Sequence, residues 1–192
     1  MRAWNDWYHV QSNTYGTWLP GDPRGWREKR HRRHVAGDYR NPPPAGSGDA
    51  LHRRAKSLLK KPPVRLDVAQ RETVGQAMVE MLLRQRLDVL VVSMDWVHLH
   101  LLARFPDRRV RPRVGRGKKH AYFRLREQGF AGKLWERGSH VVPIRGRKHQ
   151  LNVFHYIRRH AGHGAWVWTF RDGTPWLHAD PGGNGEVPPA AE

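Results

Sequence analysis

Two histidines, His98 and His100, flank Leu99 in the most apolar run of a polar, strongly basic chain. The stretch Asp95-Trp96-Val97-His98-Leu99-His100-Leu101-Leu102-Ala103-Arg104-Phe105 is rich in β-branched, aromatic and aliphatic residues and reads as a strand. Side chains alternate across a strand, so both imidazoles leave the same face. Neutral imidazoles are good ligands for divalent metals, and a strand fixes their separation. The plainer alternative is a pair of packed structural histidines in a chain that holds 13.

A second constellation lies in Gln150–His160, where Leu151, Phe154 and Ile157 mark the core-facing flank of a helix. Tyr156 and His160 are four apart and stack one turn from each other on one side. A phenol, with an ordinary pKa of about 10, is a weak nucleophile until something orients or activates it. A metal on a phosphodiester oxygen neutralises charge and aligns the phosphorus for in-line attack. Tyr156 with His98, His100 and His160 is therefore a candidate nucleophile-plus-metal site. Tyr8, Tyr15, Tyr39 and Tyr122 are rival nucleophiles; Tyr122 is the strongest, on a helix beside Lys118, Lys119 and His120.

The elements that must position these groups form an α+β pattern. Trp7–Tyr15 alternates as a first strand and runs into a Gly/Pro loop over 16–25. Residues 26 to about 63 read as a basic, irregular insertion, interrupted by Asn41-Pro42-Pro43-Pro44. Asp67 is a plausible N-cap for a helix with Val68, Val74, Met78, Met81 and Leu82 as its stripe, ending at Arg86. Asp88–Met94 reads as a buried strand turning at Asp95-Trp96 into the histidine strand. Residues 106–117 read as a basic loop, Lys118–Glu127 as a helix closed by Gly129. Leu134-Trp135 and His140–Ile144 together read as one further strand, and Arg147 to about Ala161 as the last helix. The expected fold is an antiparallel sheet of four to five strands with helices packed mainly on one face, ferredoxin-like or RRM-like. One domain over 7–168 and a flexible tail over 169–192 complete the organisation.

Lys and Arg number 35 against 17 Asp and Glu, a formal charge of +18 that points to a polyanionic partner. Nine tryptophans lie among the cations, a mixture suited to unpaired bases. The absence of cysteine excludes disulfides and thiolate metal sites. No apolar run approaches the ~20 residues of a membrane helix. A cytoplasmic location, with no membrane partner, is the expectation.

His98-Leu99-His100 followed by Leu101-Leu102, with Tyr156 on a C-terminal helix, resembles the single-tyrosine HUH endonucleases, the transposases of small bacterial insertion sequences. Tyr15-Gly16-Thr17-Trp18-Leu19-Pro20-Gly21-Asp22-Pro23-Arg24-Gly25-Trp26 resembles the REP-associated branch, and Leu134-Trp135-Glu136-Arg137-Gly138 resembles the strand before its tyrosine helix. The resemblance implies that Tyr156 attacks a single-stranded or hairpin DNA phosphodiester, leaving a 5′-phosphotyrosine link and a free 3′-hydroxyl. His98 and His100 would hold Mg²⁺ or Mn²⁺. Other members place glutamine four residues after the tyrosine; His160 in its place favours Mn²⁺ or another transition metal over Mg²⁺. The resemblance leaves a homodimer open: some members are dimers that exchange tyrosine helices, whereas REP-associated ones can act as monomers. The same features fit a silent DNA-binding relative that has lost cleavage, or a metal-dependent nuclease that activates water.

Two basic clusters are candidate DNA contacts. Arg30, Arg32 and Arg33 belong to the insertion; Arg108, Arg109, Arg111, Arg113, Arg116, Lys118 and Lys119 directly follow the histidine strand and are expected on phosphates. Trp18 and Trp26 are candidates for stacking on unpaired bases.

Overall fold

Alternation in β1 (Trp7–Asn13) and β3 (His98–Arg104) sends one set of side chains to each side of a sheet. A computed structural model describes residues 3–24, 26, 34–35, 41 and 44–177; Arg30, Arg32, Arg33 and Tyr39 lie outside the described residues. The elements in order are β1, α1 (Asp49–Ser57), α2 (Val68–Arg84), β2 (Val89–Met94), β3, α3 (Val110–Glu127), β4 (His140–Pro143), α4 (Arg147–Arg158) and β5 (Trp166–Thr169). The fold is α+β, and all five strands pair antiparallel in the order β4-β1-β3-β2-β5. Without β5, this is the strand order of a ferredoxin-like β-α-β-β-α-β unit.

The two faces carry different cores. Leu99, Leu101 and Ala103 join Val10, Val92 and Met94 beneath α2 and α3, with Val74, Met78, Leu82, Val114, Ala121 and Leu125 from those helices. Leu102 and Val91 face the other way and meet Val153 and Ile157 of α4. The two long helices thus share one face, and α4 packs on the other with Ile144, Trp4 and Trp7. Alternation places His98 and His100 on the α4 side with Leu102.

Several boundaries differ from those expected. The helix expected from Lys118 begins at Val110: Pro112 lies in the first turn, where no amide donor is needed, so the expected basic loop is mostly helical. Gly117 inside it serves close packing, because a Cβ there would stand 2.8 Å from Met78 Cε. The insertion expected to be irregular contains α1, which buries none of its residues. Trp135 makes only an isolated bridge with Thr14 and is not part of the β4 strand. In α4, Ile157 is buried and Phe154 packs against the core as expected, but Leu151 is exposed and Gln150 is buried. The tail expected from residue 169 is held to the domain as far as Leu177: Trp168 Nε1 donates to Gly173 O at 2.5 Å, and Trp176 meets Trp166 edge-on. Among the described residues, no helix is long and apolar enough to cross a membrane.

Candidate active site

Asp95 sets the start of the histidine strand. Its carboxylate accepts from the backbone N–H groups of Val97 and His98, closing the turn between β2 and β3, and its other oxygen stands 3.5 Å from His98 Nδ1. Strand pairing then aligns Ser93, His100 and Gln11 side by side across β2, β3 and β1. From above, α4 brings Tyr156. The helix tightens into a 3-10 turn over Arg159–His163, which carries His160 in over the sheet.

The expected quartet meets on this face. The His100 ring centroid lies 4.6 Å from His160, 5.7 Å from Tyr156 and 6.2 Å from His98. Tyr156 and His160 are 4.9 Å apart, ring edge to ring face. His100 is 7% exposed, whereas Tyr156 is 40% exposed and accessible from solvent.

A residue that the sequence reading passed over completes the group. His9 on β1 is buried and shares a hydrogen bond of 3.2 Å between its Nε2 and His100 Nδ1. Its ring also stands edge-on to Tyr156 at 6.1 Å. A lone histidine in an alternating strand gives no spacing signal; only β1–β3 pairing brings it beside His100.

The donor chemistry fits a divalent cation. Each of the three expected ligands has its Nδ1 engaged: His98 by Asp95, His100 by His9, His160 by Ser93 Oγ at 3.4 Å. That leaves the Nε2 atoms for a metal, the arrangement in which outer partners fix tautomer and ring orientation. Burial holds His100 well below the ordinary imidazole range, reinforced by His160 and His9, and burial also lowers His160. His9 is pushed down to about 4, by burial first and then by His140 and His149. These imidazoles are neutral at pH 7, the form a metal requires. As the side chains stand, no three His, Cys, Asp or Glu groups among the described residues are gathered tightly enough to hold an ion. The closest pair of rings is His100 and His160.

The basic cluster after β3 does not converge on this site. It lies around and along α3, against the opposite face of the sheet. Arg108 pairs with Asp6 at 3.3 Å and Arg113 with Asp107 at 2.7 Å. Lys118, expected on phosphate, is buried and donates to the carbonyls of Glu136 and Gly138; burial lowers its ammonium to about 8. Arg109, Arg111, Arg116 and Lys119 remain exposed. Of the rival nucleophiles, Tyr8 packs on Phe105 and Tyr122 lies on α3, both on the far face. Trp18 lies beneath Arg24, and Trp26 is half-buried.

Comparison of the chain with protein-family models, with curated proteins and with solved structures gave no match.

Proposed function

We propose that this chain is a metal-dependent single-strand DNA transesterase of the transposase type, with Tyr156 as nucleophile. The observation that carries the reading is the meeting of Tyr156 with His100 and His160 on one face of the sheet, from elements far apart in sequence. A divalent cation bound by His98, His100 and His160 would neutralise charge on the scissile phosphate.

The remaining chemistry belongs to the chain. The Tyr156 oxygen forms a bond to phosphorus while the P–O3′ bond breaks. The phenolic proton is released as the departing 3′-oxygen takes one up, so the products are a 5′-phosphotyrosine and a 3′-hydroxyl. Because phosphoester bond is exchanged for phosphoester bond, rejoining needs no nucleotide triphosphate. The buried ring of His9 backs both Tyr156 and His100, and the packed Val153 and Ile157 fix the height of α4 above the sheet. An imidazole at position 160 in place of an amide favours Mn²⁺ or another transition metal over Mg²⁺.

The test is a covalent adduct. Incubation with labelled hairpin DNA carrying single-stranded flanks, in Mn²⁺, is expected to give a protein–DNA band resistant to denaturation. Tyr156→Phe abolishes it while retaining DNA binding. Equal adduct in the variant would sink the assignment, and cleavage without adduct in both would indicate activated water. Binding without adduct under any metal would assign a silent DNA-binding role.

A further inference from the structure

The two motifs flanking the insertion and β4 meet in space. Tyr15 N donates to Leu134 O, Glu136 N donates to Asn13 O, and Gly16 N donates to Glu136 Oε1 at 3.2 Å. Neither motif enters the histidine–tyrosine site. Their junction instead assembles a strip of aromatic rings, each with a cation over its face.

The strip starts with Trp18, where the Arg24 guanidinium lies 4.8 Å from the ring centroid. Arg24 is held there by the nearly buried Asp22, which accepts from its backbone N, Nε and Nη2, while Thr17 O accepts a further bond. Burial raises the Asp22 carboxyl, but the bonds from Arg24 outweigh it and hold the group below its ordinary range. The loop is also backed from behind: a Cβ on Gly21, at φ +82°, would stand 2.6 Å from Gly48 O and from His52 N at the start of α1. The Trp18–Arg24 stack is thus a rigid, preassembled unit.

Next comes Tyr15, with Lys133 Nζ 4.9 Å from its ring. Beyond Lys133, an open pocket of about 330 Å³ is lined by Lys119, Tyr122, Lys133, Leu134 and Trp135, with Lys118 at its base. Lys119 and Arg126 lie over Phe123 and Tyr122 at 5.7 and 5.9 Å. In these four pairs the cations Arg24, Lys133, Lys119 and Arg126 all reach solvent.

Through Tyr15 the strip comes near the chemistry. Asn13 stands opposite His98 in the sheet register, and Tyr15 follows two residues later, about 7 Å along an extended chain. We propose that this edge is a binding track for unpaired nucleotides flanking the cleaved phosphate, with bases stacking on Trp18–Arg24 and entering the Tyr122–Trp135 pocket. Lys119 and Lys133 meet the phosphates. Flat platforms alternating with cations suit single strands, because every base offers a π-face and every linkage a charge. A duplex hides its bases and gains only the charge term. The track rests on the DNA reading above for its ligand but uses none of the residues assigned to cleavage.

The test is fluorescence anisotropy with labelled oligothymidylate of 15 nucleotides, in EDTA so that metal chemistry is silent. Wild type is expected to bind the thymidylate strand. Trp18→Leu, Tyr122→Leu and Lys133→Ala each weaken binding at least fivefold, and a 15-mer of abasic linkers, equal in charge, binds at least tenfold more weakly than thymidylate. Arg171→Ala, exposed just after β5 at the opposite edge of the sheet, is the control. Lys133→Ala alters an exposed side chain and keeps the test valid should an aromatic variant misfold, with circular dichroism checking each fold. Equal affinity for abasic and thymidylate strands, or Lys133→Ala and Tyr122→Leu indistinguishable from wild type, overturns the track. Retained track binding with no adduct in Mn²⁺ would instead overturn the cleavage reading alone.

Discussion

At the scale of the residue, His9 shows how much a single neighbour decides. Its Nε2 faces His100 Nδ1 at 3.2 Å, so one of the two nitrogens must carry the proton. If His100 presents Nε2 to a metal as a neutral ring, its proton sits on Nδ1 and His9 accepts it. His9→Leu keeps the volume but removes the acceptor, leaving His100 free to adopt the other tautomer. Outer partners of this kind are worth about 10- to 100-fold in metal affinity, so Mn²⁺ binding in the leucine variant is expected to weaken by about that factor. Calorimetric titration with Mn²⁺ measures it, and an unchanged dissociation constant would remove His9 from the site. His9→Asn, which can still accept, is expected to recover part of the loss.

Among the elements, legibility followed periodicity. The N-cap at Asp67 was readable because capping is local, and the structure adds the reciprocal bond with Gln70 that completes a capping box. β2 and β3 were readable from their apolar runs. β5 was not: its four residues follow a positive-φ glycine and hold two tryptophans, with no length in which a period could show. Its place comes from long-range packing, since Trp166 lies against Gly75 of α2 where any Cβ would overlap the indole. Gly75→Ala is therefore expected to destabilise by about 1–3 kcal/mol through overpacking. Gly115, in α3 with open space around it, gives the opposite sign: Gly115→Ala should stabilise by about 0.5–1 kcal/mol from backbone entropy alone. Urea midpoints for the two variants check both signs. The His98–His100 pair and Tyr156–His160 were legible for the same reason as the strands and helix that carry them. The Trp18–Arg24–Asp22 unit was not, because it lies in a loop with no period to say which side chains meet, and the fate of Lys118 was not, because its carbonyl partners at Glu136 and Gly138 lie in a later segment.

For the whole molecule, acid is the informative variable. His9, His100 and His160 all have folded-state pKa values below the ordinary 6.5, with His9 at about 4. Between those values the unfolded chain binds protons that the folded chain refuses, so stability rises with pH across the window and falls as pH drops from 6.5 towards 4. His9 alone, at 1.36 kcal/mol per pKa unit, accounts for about 3 kcal/mol of that loss. Asp22 and Asp95 have the reverse character, their carboxyls being held below the ordinary value. Their contribution persists through this window and is lost only at lower pH. Thermal melts at pH 7, 5.5 and 4 should show the fall, with a shallower slope in His9→Asn; a melting temperature flat from 7 to 5 would contradict it.

The helix bearing Tyr156 is fastened at both ends to one sheet. β4 precedes α4 by three residues, and behind it the 3-10 turn leads within three residues into β5, where Arg71 of α2 also grips Gly164 O. On the proposed reading, Tyr156 tethered at either end reaches the histidines of its own chain. Adduct formation is then expected to scale with the first power of protein concentration, and dilution would not silence it.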